Sequence, residues 1–291
     1  MADIHPTAIL EGEISLADDV QIGPNCVLRG DIAIGPGTRL IGGIWLQGPL
    51  SLGESNIIYP NACLGFAPQD YKWDPRRPGA GLVIGSGNIC REGVTIHRAT
   101  SEDKPTTIGD RNMFMANSHA GHDCRIGNHC VFANSTALAG HVTVGDRVIT
   151  GGAVMVHQFC QLGRGAMLGG SLAARQDVAP FFMLTALNVV GSINVIGMRR
   201  GGMPADEIED VRWVYKMLYR RGWSLRKAVE QIEMRADRPM VREYIDFIRA
   251  SKRGLCGGAA ESRLRGAPGA PTPAPDAGPG GEPEIAERAD A

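Results

Sequence analysis

A unit of aliphatic–Gly–x–x–x–aliphatic recurs along this chain, and eight aliphatic–glycine pairs set its phase. The pairs are Ile22-Gly23, Ile34-Gly35, Leu52-Gly53, Ile84-Gly85, Ile108-Gly109, Ile126-Gly127, Val144-Gly145 and Leu162-Gly163. The last four start at 108, 126, 144 and 162, eighteen residues apart each time. Eighteen is three hexapeptides, and a strand of about four to five residues plus a turn is near the minimum for one flat side. Three such sides close a triangular coil, and self-similarity at a fixed period is the mark of a solenoid. The period therefore predicts an all-β, left-handed parallel β-helix, an exception to the right-handed crossover rule. Its structural competitor is the right-handed β-helix, whose coils are longer and less regular. The aliphatic residues should point into the prism. The glycine and the asparagine that often follows it are expected to supply left-handed turn dihedrals. Stacked coils should lie about 4.8 Å apart, each covering its neighbour's edge. Abundant glycine (39 residues) and scarce aromatics (5%) suit many tight turns around a narrow aliphatic interior.

The period breaks twice. About fourteen residues beyond one coil separate Leu52 from Ile84, and the excess falls in a polar, proline-rich, aromatic stretch over about 65–81. Six more separate Ile84 from Ile108, near ATSEDKPTT. Solenoids place insertions outside, often at a binding face, which makes the first one a candidate substrate loop. The β-helix is expected over 1–198, with a small C-terminal α-helical domain over 199–255. There Ile208, Val211, Val214, Tyr215 and Leu218 recur at helix spacing up to a stop at Gly222. Ser224 is placed to cap a second helix, and a third is expected from about Pro239 to Lys252. From 256 to 291 the composition is Gly, Pro, Ala and charge, which reads as a disordered tail. A net charge of −1 gives no footprint for nucleic acid. No apolar run is long enough to cross a membrane, and no signal peptide is seen at MADIHPTAIL. Seven cysteines without a CxxC pair fit a cytoplasmic protein whose thiols are mostly small buried hydrophobes.

The chemistry gathers in the central coils. Four of the seven histidines cluster there, His119, His122, His141 and His157, with His97 just upstream. Adding eighteen to 122 gives 140, beside His141, and His157 lies near the same place one coil further. In projection these residues collect near one corner of the prism. Such a cluster can bind a metal, since neutral imidazoles suit zinc as in hexapeptide-repeat carbonic anhydrases. It can equally serve acyl transfer, with one histidine as general base toward a hydroxyl. The order His122-Asp123 favours the second reading, because a neighbouring carboxylate fixes an imidazole's tautomer and raises its basicity. The nucleophile is then the substrate, so no serine or cysteine nucleophile is needed. Gly140, one coil above His122, is placed to offer a backbone N–H to an oxyanion and to let substrate approach the main chain.

HPTA at 5–8, QDYK at 69–72, VTIHR at 94–98, HAGHD at 119–123, LAGHV at 138–142, HQFC at 157–160 and QDVAP at 176–180 occur in order. Together they resemble the UDP-N-acetylglucosamine acyltransferase family over roughly 5–253, most weakly between Phe181 and Ile196. The resemblance implies transfer of a 3-hydroxyacyl chain from the phosphopantetheine thioester of acyl carrier protein to the 3-hydroxyl of UDP-N-acetylglucosamine, the first step of lipid A synthesis. It implies a cytoplasmic homotrimer with sites between subunits, and neither metal nor cofactor. His122 matches the general base, Asp123 its orienting partner and Gly140 the oxyanion donor. Gln69, Asp70 and Lys72 match loop residues that touch substrate. His119, His141 and Gln158 match sugar and phosphate contacts, and His97 and His157 also fall at the site. Gly170 matches the acyl-chain ruler, where a glycine leaves room for a longer chain. Arg199 and Arg200 match basic residues near the diphosphate, for which the forked guanidinium is suited. Arg220, Arg221 and Arg226 can form a basic patch for the acidic carrier protein. Two related reactions stay open: amide formation on a 3-amino UDP-sugar, and the later N-acyltransferase of the pathway. The latter carries an extra N-terminal domain, whereas the repeats here begin near residue 5. A zinc carbonic anhydrase and a non-catalytic scaffold remain as competitors from other classes.

Overall fold

The structure, a computed structural model, describes residues 1–259. The chain winds a left-handed β-helix whose strands are dealt in turn to three sheets of twelve, nine and eight strands, called here the first, second and third. Residues eighteen apart pair in parallel, as His119 does with Ala137 and Ile126 with Val144. Both insertions are absorbed outside the ladder: Leu52 pairs with Ile84, and Ile84 with Ile108, across 32 and 24 residues of chain. Seven of the eight aliphatic–glycine pairs stack on the third sheet. The eighth, Ile22-Gly23, lies on the first, where Ile22 pairs with Leu40.

Two expectations about the repeat are corrected. Most central strands span only two residues, such as His119–Ala120 and Arg125–Ile126, because each corner takes four of the six positions. The repeat glycines also do not supply the left-handed turn. That conformation falls two residues later, at Arg111, His129 and Arg147, and returns every six residues at Asn117, Asp123, Ser135, His141, Ala153 and Phe159. The repeat glycine is required by close approach instead. A Cβ on Gly109 would sit 2.6 Å from the Gly127 carbonyl oxygen, and one on Gly53 2.7 Å from that of Gly85. Three of the asparagines after it, Asn56, Asn88 and Asn112, are buried and form a ladder, whereas Asn25 takes the left-handed turn as expected (φ 57°). Asn88 donates its amide to Asn56 Oδ1 (3.1 Å), and Asn112 donates to Asn88 Oδ1 (3.0 Å), so each polar group leaving water finds a partner in the next coil. Between these ladders the inward Ile, Leu, Val and Cys side chains form one continuous core. Burying each aliphatic side chain is worth about 1.5–3 kcal/mol.

An antiparallel hairpin, Phe182–Ala186 with Val189–Ile193, ends the parallel winding. Among the described residues four helices follow: α1 (Val195–Arg200), α2 (Ala205–Tyr219), α3 (Leu225–Glu233) and α4 (Pro239–Ala250). The last three occupy the segments expected to be helical, with the Ser224 side chain accepting from the Lys227 N–H as the cap of α3. Their inward residues, Ile208, Val211, Val214, Ile232 and Tyr244 among them, join the solenoid core. The chain beyond α4 stays ordered further than its composition suggests. Cys256 is fully buried, and Gly257–Gly258 pairs with Val189–Val190 as a further strand. This moves the start of the expected tail past 256, and the rest of that expectation, 260–291, lies outside the described residues. Among the described residues no helix is long and apolar enough to cross a membrane.

Candidate active site

The corner between the second and third sheets collects most of the candidate residues. His97 ends one strand of the second sheet and His119 begins the one stacked on it, their rings 5.4 Å apart. His122 and Asp123 form the turn that follows. Asp123 occupies the left-handed position (φ 60°), and His141 repeats it one coil later (φ 63°). Short polar side chains and histidine tolerate this conformation better than most. The 65–81 insertion leaves the same corner. His97 Nδ1–H donates to the Ala67 carbonyl at 2.6 Å and ties its start down.

Within this corner His122 Nδ1 lies 2.7 Å from Asp123 Oδ2. An ionised carboxylate only accepts, so Nδ1 carries the proton and Nε2 presents its lone pair. Nε2 lies against Gly140: a Cβ added there would meet Nε2 and Cε1 of His122 at 2.6 Å. Among the described residues no acceptor is paired with the Gly140 N–H. Free base and free donor therefore adjoin. His141 packs edge-on to His122, with ring centroids 5.1 Å apart, and its Nε2 is 3.7 Å from Asp123 Oδ2. Phe159, in the same left-handed position one coil on, stacks on His141 at 4.6 Å.

Electrostatics divide these groups. Burial works to raise the Asp123 carboxyl, but hydrogen bonds from His122 and Thr100 outweigh it and hold the group well below the usual carboxylate range. Burial, reinforced by His97 and His122, pushes His119 down to about 4. Burial also lowers His97 against the pull of the Ala67 carbonyl, and lowers His141 against that of Asp123 and Asp70. These three imidazoles are thus neutral near pH 7 and suited to hydroxyl groups. Burial raises all seven cysteines, with Cys90, Cys124, Cys130 and Cys256 pushed up to about 12, so none offers a thiolate. His122, Asp123 and His141 place ligand atoms within 4.8 Å of one another, close enough to be bridged by one cation.

The insertion is built around Arg98, a residue that period-based reading passes over. It is only 5% exposed and donates to the carbonyls of Gly65, Pro75 and Arg77, folding the loop back on itself. Asp70 caps the Lys72 N–H at 2.9 Å and lies near enough to His141 to act on its charge. Thr95 hydrogen-bonds His119 at 2.8 Å. His157 and Gln158 occupy the same corner above Gly140, where His157 Nδ1 reaches the Gln158 carbonyl at 3.2 Å. Arg98, Thr95, Thr100 and Phe159 were legible only as letters inside longer motifs, because their partners lie 18 to 33 positions away.

Three candidates are not brought here by a single chain. Gly170 lies at the corner between the first and second sheets, between Met167–Leu168 and Ala173–Ala174. Arg199 and Arg200 end α1. Arg200 lines a cavity of about 1130 Å³ with Arg147, Arg164, Phe181 and Asn194, at the corner between the third and first sheets. Of the helical arginines, Arg220 and Arg221 lie over the Tyr215 and Trp223 rings, and Arg226 pairs with Glu230 at 3.1 Å.

Comparison with known proteins adds the chemistry's class. Residues 177–256 match the family model described as UDP-N-acetylglucosamine O-acyltransferase, domain 2, and 105–140 match the bacterial transferase hexapeptide model. An acyl-[acyl-carrier-protein]–UDP-N-acetylglucosamine O-acyltransferase from Stutzerimonas stutzeri is 44% identical over 260 residues, covering 88% of this chain and 99% of that one. The chain belongs to the UDP-N-acetylglucosamine O-acyltransferase family. The enzyme of that name from Halorhodospira halophila is 43% identical over 88% of this chain and 99% of its own length. Among solved structures, the acyltransferase of Francisella novicida superposes with a TM-score of 0.85 at 33% identity, covering 92% of this chain and 99% of that one. The Moraxella catarrhalis enzyme gives 0.81 at 36% identity, over 87% and 99%.

Proposed function

We propose that the protein transfers a 3-hydroxyacyl chain from acyl carrier protein to the 3-hydroxyl of UDP-N-acetylglucosamine, the first step of lipid A synthesis, with His122 as general base. The observation that carries this reading is the line Asp123 Oδ2, His122 Nδ1, His122 Nε2, Gly140, in which a carboxylate-oriented imidazole lies against a glycine whose N–H is paired with no acceptor among the described residues. His122 Nε2 takes the proton of the sugar hydroxyl as its oxygen attacks the thioester carbonyl carbon. The tetrahedral oxyanion accepts from the Gly140 N–H. Collapse breaks the C–S bond, and the imidazolium returns its proton to the departing phosphopantetheine thiolate. The enzyme needs no cofactor of its own.

In this reading His97, His119, His141, His157 and Gln158 line the acceptor, and Gln69, Asp70 and Lys72 reach it from the loop. Arg199 and Arg200 answer the diphosphate, and Gly170 sets the space for the acyl chain. Their separation onto other corners of one chain supports a homotrimer in which a site is completed by a neighbour. The carrier protein as donor supports a cytoplasmic location.

The reading is tested by incubating the protein with 3-hydroxyacyl carrier proteins of graded length and UDP-N-acetylglucosamine, and weighing the product. A Cβ at Gly170 would meet only the Gly152 carbonyl oxygen at 3.4 Å and nitrogen at 3.7 Å, ordinary contact, so a side chain can begin there without a backbone clash. Gly170→Met is expected to move the preferred donor to a shorter chain by several carbons; an unchanged preference would remove Gly170 as the ruler. Metal plays no part in the proposed steps. Dialysis against EDTA is therefore expected to leave the rate within about twofold, since general-base transfer needs no Lewis acid. A loss restored by zinc would instead make His122, Asp123 and His141 a metal centre.

A further inference from the structure

The second break in the period, the six extra residues before Ile108, has no role in the steps above, yet it converges on Asp123. Thr100 Oγ–H donates to Asp123 Oδ2 at 2.7 Å, as short as the bond from His122 to the same oxygen. The Thr100 N–H reaches both carboxylate oxygens at 3.2 and 3.1 Å, and the Ser101 N–H reaches Oδ1 at 3.2 Å. The other end of the residue is held too, since the Asp123 N–H donates to Thr106 Oγ1 at 2.8 Å, where the insertion rejoins the coil. The turn braces itself: Ser101 Oγ accepts from the Asp103 and Lys104 N–H groups, and the Ser101 carbonyl accepts from the Ala80 N–H at the end of the substrate loop.

Such a cradle answers a specific geometric problem. Asp123 has two imidazoles within reach, His122 at 2.7 Å and His141 at 3.7 Å, and both approach Oδ2. A carboxylate held only by His122 can pivot toward His141 and release the tautomer of the base. Hydrogen bonds to an ionised group are the strong ones, and four of them, from three donors of one turn, fix both the plane and the tilt of this carboxylate.

We infer that Thr100 is a positioning residue for acyl transfer, whose hydroxyl and amide hold the Asp123 carboxylate on His122 and away from His141. The inference rests on the reading of His122 as the base. It acts on the reacting geometry and not on substrate affinity, because Thr100 reaches the site only through Asp123.

The test uses the full-length enzyme with Thr100→Val and Thr100→Ser, each also made on an Asp123→Asn background, and His122→Ala in parallel. Valine keeps the shape and removes the hydroxyl. Thr100→Val is expected to lower kcat about tenfold with the KM for the UDP-sugar within about twofold, as a misplaced catalytic group does. Thr100→Ser should recover most of the rate, and Thr100→Val should cost nothing further once Asp123 is asparagine, since residues acting through one another are not additive. A full additional loss on the Asp123→Asn background, or a raised KM with unchanged kcat, overturns the inference while an inactive His122→Ala leaves the base in place. A His122→Ala enzyme that keeps its rate overturns both.

Discussion

Replacing His122 by alanine is expected to lower kcat by about 10³-fold, within the range general-base catalysis supplies, while leaving the fold intact. The side chain lies at a corner outside the aliphatic core, 14% exposed, and its partners are Asp123 and the faces of Gly140 and His141. Its removal therefore leaves the inward stack of Ala120, Cys124 and Leu138 untouched. The KM for the UDP-sugar should change little, because the loss falls on an interaction made as the proton moves. Steady-state kinetics beside a thermal melt separates the outcomes. An unchanged melt with a collapsed kcat is expected, whereas a rate within tenfold of the unsubstituted enzyme would place the base elsewhere.

A single methyl group should do nearly as much damage one coil away. A Cβ on Gly140 would lie 2.6 Å from both Cε1 and Nε2 of His122, far inside contact distance. The backbone there is tied down, with the Phe159 N–H donating to the Gly140 carbonyl and the His141 N–H to that of His122. The imidazole must therefore yield, and in yielding it moves Nε2 from the place that the proposed proton transfer requires. A displacement of about 1 Å at a reacting group costs on the order of 10²-fold in rate. Gly140→Ala is thus expected to lose that much, and to add little in an enzyme already lacking the His122 side chain. Additive losses in the double variant would mean that Gly140 acts without the imidazole, through its N–H alone.

These two effects show which parts of the site could be read from the chain alone. His122 and Asp123 are neighbours in sequence, and Gly140 lies one period above, so a regular repeat carries all three into one corner. The fold was legible for the same reason: a strict eighteen-residue period leaves the chain little freedom in where a residue goes. Where the period fails, the sequence no longer places a residue. Arg98 and Thr100 act from insertions, and their partners are set by how an irregular loop folds back. The hairpin over 182–193 pairs antiparallel, which no parallel repeat announces, and α1 is only six residues long, started by Asn194 accepting from the Gly197 N–H. The glycines stand out in the sequence, but the force that requires them does not. Their place in the motif is a matter of coil-to-coil approach, visible only when the neighbouring carbonyl is on hand. Arg199, Arg200 and Gly170 fall at corners away from His122, so the period that gathers the histidines does not gather them.

The most direct test of the account is the linkage of the product. Purified protein, a 3-hydroxyacyl carrier protein and UDP-N-acetylglucosamine should yield an acylated nucleotide sugar whose acyl group is released by hydroxylamine, as an ester on the 3-hydroxyl is. No product from any donor length, with a hydroxylamine-stable amide appearing only when a 3-amino UDP-sugar is supplied, would contradict it.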